Sequence, residues 1–108
     1  MFARTVSMRV KAGKARDLVA MIEAEFIPRL RREEGFQDAL ILVAADGTEA
    51  IGLSLWSQRS DVDRYERNAA VQMTRRLAEF LDAVGTPQVL QVWNSTFHQI
   101  DKPLRIGD

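Results

Sequence analysis

Four polar side chains in the second half of the chain, Tyr65, Asn68, Gln72 and Arg75, follow one another at spacings of three and four. On a helix this spacing puts them on one face or its edge. A phenol, two amides and a guanidinium so grouped could share a proton, orient a small molecule and hold an oxygen that gains negative charge. Each also has an ordinary place in a fold. A tyrosine at helical spacing serves as a core residue with its hydroxyl at the rim, and Arg75 beside Arg76 serves as a solvated pair. The rest of the chain offers little competing chemistry. Cysteine is absent, so thiolate nucleophiles, disulfides and Cys metal sites drop out. The lone histidine, His98, makes no His-rich metal cage. It reads either as a surface residue at a strand end or as a base near a pocket mouth. No metal site is expected. Glu33 and Glu34 adjoin Gly35 at a helix end, where solvation accounts for them, and no Gly-rich phosphate loop exists.

A chain of 108 residues makes one domain with one modest core. Its 15 basic and 15 acidic residues cancel without a concentrated basic surface, which argues against nucleic acid as a partner. No apolar run approaches the roughly 18 residues of a membrane span, and Met1 to Arg4 lead straight into an alternating strand. A reduced cytoplasmic setting is therefore expected, with no membrane partner.

The elements that position the polar residues follow from hydrophobic period. Phe2 to Val10 alternates, with Val6, Met8 and Val10 on one face of a strand and Thr5, Ser7 and Arg9 on the other. Lys14 to Glu34 carries Leu18, Met21, Ile22, Phe26 and Leu30 as one helical stripe. Pro28 predicts a kink or a second helical piece, because it removes the bond to the carbonyl of Ala24 and disfavours helix at Ile27. Phe36 to Ala44 and Glu49 to Ser57 form a hairpin across Asp46-Gly47. Ser60 caps a second helix, with Asp61 and Asp63 in its first turn. That helix is expected to run to Val84, ended by Gly85 and Pro87. Val89 to Phe97 is the last strand, and residues 99–108 are a polar tail behind a domain spanning 1–98.

Two βαβ halves joined by a hairpin give a ferredoxin-like α+β fold, βαββαβ, with a four-stranded antiparallel sheet and both helices on one face. The expected bare face carries Ala39, Ile41, Val43, Ala50, Gly52, Ser54 and Trp56. It is too apolar for solvent, so a second copy should cover it and the protein should be a homodimer.

The run Leu53-Ser54-Leu55-Trp56-Ser57-Gln58-Arg59-Ser60, the Pro28 to Gly35-Phe36 segment and the ending Val92-Trp93-Asn94-Ser95-Thr96-Phe97-His98 together resemble the antibiotic biosynthesis monooxygenase domain, a family of dimeric α+β barrels. The resemblance covers residues 2–98. It implies a pocket between helices and sheet, lined by the second helix. In the haem-degrading branch an Asn, a Trp and an iron-binding His stand where this chain has Val6, Tyr65 and Arg75, so the iron ligand is missing. The branch without any cofactor is the better match. It lets a deprotonated aromatic or quinol-like substrate react directly with oxygen inside a dry pocket. On that reading Tyr65 and Arg75 handle proton and oxyanion, Asn68 orients the substrate, and Phe26 and Met73 form walls. Gln72, His98 and Trp56 complete the substrate site, although Trp56 and Trp93 could instead anchor the dimer interface. A non-catalytic dimeric ligand-binding module and a proton-transfer isomerase are the alternatives.

Overall fold

The first strand already shows how the sheet is organised. β1 (Phe2–Val10) pairs antiparallel with β3 (Glu49–Trp56) from Phe2↔Trp56 to Arg9↔Glu49, and β3 pairs antiparallel with β2 (Phe36–Val43). On the other edge of β1 lie two short strands end to end, β4 (Leu81–Val84) against Met8 to Val10 and β5 (Gln88–Gln91) against Phe2 to Thr5. The order β2-β3-β1-β4, with β5 also on β1, is the ferredoxin-like arrangement with its fourth strand broken in two. The computed structural model describes residues 1–102, so residues 103–108 of the expected tail lie outside the described residues.

The first helical stretch has three parts: α1 (Ala15–Met21), a π-helical turn (Ile22–Phe26) and α2 (Ile27–Arg31). Pro28 sits in the first turn of α2, where its missing N–H costs nothing, and the wide turn before it absorbs the mismatch. The stripe is as expected, with Leu18, Met21, Ile22 and Leu30 buried. The hairpin is also as expected: Gly47 has φ +74°, and the Asp46 carboxylate accepts from the Thr48 amide and hydroxyl.

The second helical stretch departs from the expectation at both ends. Gln58, not Ser60, is the N-cap of α3 (Arg59–Asn68), in a reciprocal box with Asp61. The helix is interrupted at Ala69, resumes as α4 (Ala70–Leu77) and stops well before Val84. Leu77, Phe80, Leu81 and Val84 satisfy a helical period, but β1 has an edge to fill, and residues 81–84 fill it. Gly85 then donates its amide to the Ser7 carbonyl at 2.8 Å, an approach that a Cβ would crowd at 3.3 Å. The last strand ends at Gln91 instead of Phe97.

The two faces of the sheet are exchanged relative to the expectation. Ala50, Ser54 and Trp56 are buried beneath the helices, with Trp56 wholly enclosed. Leu40, Leu42, Ile51 and Leu90 face outward, between 41% and 56% exposed. Alternation separates two sets of residues without saying which set meets the helices. Small side chains on the inner set do not admit a partner sheet; they leave room under the helices.

Candidate functional site

That room is a cavity of about 310 Å³ between the sheet and the helices. It lies between two clusters of buried apolar residues, one around Leu18, Met21 and Leu81, the other around Trp56, Tyr65 and Met73; Phe26 and Ile27 pack against both. Its floor is the inner face of β1, β2 and β3: Arg4, Val6, Met8, Ala39, Ile41, Gly52 and Ser54. Its roof comes from the π turn and α2 (Ile22, Phe26, Ile27, Leu30) and from α3 and α4 (Tyr65, Ala70, Met73, Thr74, Leu77). Gly52 and Ala39 make the space, because a larger side chain at either would stand where the cavity is. The volume is at the small end of the roughly 300–1,000 Å³ typical of ligand pockets, enough for a compact aromatic molecule.

Among the expected site residues, the structure brings Tyr65, Met73 and Phe26 together on this cavity. The Tyr65 hydroxyl donates to the Met73 sulfur at 3.1 Å, a weak acceptor that an incoming oxygen would readily replace. Burial pushes the Tyr65 phenol above its usual range, with the positive charge of Arg4 opposing the shift. The phenol is therefore a hydrogen-bond donor at neutral pH, not a base.

The others lie elsewhere. Asn68, Gln72 and Arg75 are exposed and off the cavity wall, because the inward stripe of this stretch runs through Val62, Tyr65, Ala69 and Met73 and leaves those three on its flank. Arg76 is the arginine of the pair for which side-chain contacts are seen. It reaches Glu25 on the π turn at 2.8 Å, lowering that carboxyl's pKa and raising its own, and stacks over Phe80. Trp56 is neither a cavity wall nor an interface anchor. Its Nε1 donates to Ser54 Oγ at 2.8 Å, and its ring packs on Tyr65 at 5.0 Å and edge-on to Phe36 at 5.6 Å, so it braces the wall from behind. His98 pairs with Asp38 of β2 and does not face the cavity.

The residue missed by sequence reasoning is Arg4. Its side chain is only 11% exposed, its guanidinium carbon lies 5.2 Å from the centre of the Tyr65 ring, and it lines the cavity. The sequence held a signal: Arg4 shares parity with Val6, Met8 and Val10, a charge in an otherwise apolar set.

No family model matches the sequence, and no curated protein matches it. Solved structures do. Rv0793 from Mycobacterium tuberculosis is 20% identical, with a TM-score of 0.70 over 88% of this chain and 97% of that one. A Bordetella bronchiseptica protein named as a candidate antibiotic biosynthesis monooxygenase is 17% identical, with a TM-score of 0.71 over 84% of this chain and 95% of that one. A Streptomyces coelicolor monooxygenase, solved in complex with nanaomycin D, is 19% identical, with a TM-score of 0.65 over 82% of each chain. This chain thus has the fold that the antibiotic biosynthesis monooxygenase structures share, as its sequence resemblance implied.

Proposed function

We propose that the protein is a cofactor-independent monooxygenase acting on a small aromatic or quinol-like molecule inside each subunit. The observation that carries this reading is the apolar cavity under the helices with the protonated Tyr65 phenol at its wall. A substrate carrying an acidic CH₂ beside a phenolic ring system loses a proton to solvent, and the resulting carbanion passes an electron to oxygen. Recombination forms a C–O bond, and loss of one water from the protonated peroxide leaves a carbonyl. One oxygen atom stays in the product and the other leaves as water. Tyr65 donates to the oxygen that carries the negative charge, while Phe26 and Met73 keep water from it. Among the described residues lining the cavity there is no aspartate, glutamate or histidine, so on this reading the proton goes to solvent and not to a side chain.

The working unit is a homodimer on this reading. The outward Leu40, Leu42, Ile51 and Leu90 form an apolar sheet face, and a second copy packed back to back across a two-fold axis would bury it. Oxygen uptake with a panel of hydroquinones and anthrones is the test. Uptake that saturates with substrate supports an enzyme. An inert protein that is nonetheless stabilised against heat by the same molecules would make it a binding module.

A further inference from the structure

Arg4 occupies a position that the fold alone does not explain. Its Nε is buried and has no hydrogen-bond partner. The nearest carboxylate oxygen, Glu66 Oε1 on α3, is 3.9 Å away, close enough for Coulomb attraction and too far for a hydrogen bond. Ser54, its neighbour across the β1–β3 pair, accepts from Trp56 Nε1 and makes no hydrogen bond to Arg4 Nε. The face of the Tyr65 ring orients the guanidinium without satisfying its N–H groups. A buried donor without an acceptor is costly and uncommon in native proteins, and a guanidinium presents its donors as a planar fork suited to an anionic oxygen. Here such a donor sits at the wall of an apolar cavity whose described lining holds no acidic group.

We propose that Arg4 is an anion-binding residue, and that the cavity selects planar aromatic molecules whose ring hydroxyl is ionised. The ring lies among Phe26, Leu30, Ile41 and Met73, and the phenolate oxygen accepts from the Arg4 guanidinium. Tyr65, which stacks on that guanidinium, turns its hydroxyl from the Met73 sulfur to the same oxygen. This inference rests on the reading of the cavity as the substrate site and adds a charge requirement to it. It also fits a lining without carboxylate or imidazole, since the ring hydroxyl gives up its proton to solvent before the substrate enters.

The test is a pH titration of 4-nitrophenol bound to the protein, read by the visible absorbance of the phenolate. Wild-type protein is expected to hold the phenolate about tenfold or more tighter than the phenol, so that bound probe titrates about one unit lower than free probe. Arg4→Met should abolish or reverse that preference while leaving the thermal midpoint of the empty protein equal or higher, since it removes a buried charge lacking a hydrogen-bond partner. Arg4→Lys, which keeps the charge and loses the fork, should retain part of the preference. An unchanged preference in either variant overturns the proposal, as does a lowered midpoint in Arg4→Met with phenolate binding intact. Failure of the oxygenase reading is separable: phenolate selection dependent on Arg4 with no oxygen uptake on any substrate sinks only that reading. Uptake with phenolate selection indifferent to Arg4 sinks only this one.

Discussion

The inner and outer faces of the sheet are both apolar, yet they are built in opposite ways. On β2, β3 and β5 the outer face carries leucine and isoleucine of similar size at Leu40, Leu42, Ile51 and Leu90, a surface suited to flat packing, with Thr5, Ser7 and Arg9 of β1 between them. The inner face mixes extremes, Gly52 and Ala39 beside Trp56, with Arg4 and Ser54 among them. Uniform size fills space, and mixed size leaves some. The difference teaches that the small residues of this sheet mark a cavity and the large ones an exposed apolar face, the one we propose a second copy covers, the reverse of what their sizes first suggest.

The comparison breaks most visibly at Trp56. Trp56→Ala should cost about 3–5 kcal/mol in equilibrium denaturant unfolding, because it empties the largest enclosed side chain and takes the support from behind Tyr65. A loss under about 1 kcal/mol would mean that the inner face tolerates voids and needs no bracing. On the outer face, Leu40→Asp should weaken self-association by on the order of 100-fold, since a carboxylate buried without a partner costs several kcal/mol, while each subunit stays folded. Sedimentation velocity at micromolar protein reads this directly, and a wild-type protein that is already monomeric would remove the role given to that face.

A smaller effect belongs to Tyr65. Its phenol is raised in the fold, so the folded chain holds that proton more tightly than the unfolded chain. Stability should therefore be flat with respect to this group below pH about 10 and fall as pH rises through the higher folded value. Tyr65→Phe should lose that alkaline slope, and a variant with the same slope would assign it to another group. Smallest of all, Arg75→Ala should leave both the unfolding midpoint and any turnover unchanged, because Arg75 is exposed and off the cavity wall.

What the sequence made legible was whatever depends on period and local chemistry. The stripe from Leu18 to Leu30, the break at Pro28, the Asp46-Gly47 hairpin and the antiparallel order all follow from patterns a few residues long. The illegible parts depend on competition between distant segments. Residues 77–84 carry a period that helix and strand both satisfy, and only the unpaired edge of β1 decides it. Tyr65, Met73 and Phe26 could be placed together because helical stripes point inward, whereas Arg75 could not be separated from Arg76 without knowing where the helix is interrupted. Arg4 was readable in principle, as the one charge of its parity on β1, but its worth depends on the cavity that Gly52 and Ala39 open above it.

The central claim is that chemistry takes place inside this cavity. Gly52→Leu tests it most directly, since a Cβ at Gly52 would meet Met8 and Ile41 at 3.6 and 3.7 Å without a clash and the rest of the side chain would fill the space. Oxygen uptake should saturate with an anthrone or hydroquinone in the wild type and disappear in a folded Gly52→Leu protein. Undiminished uptake in that variant would place the reaction outside the cavity and contradict the account.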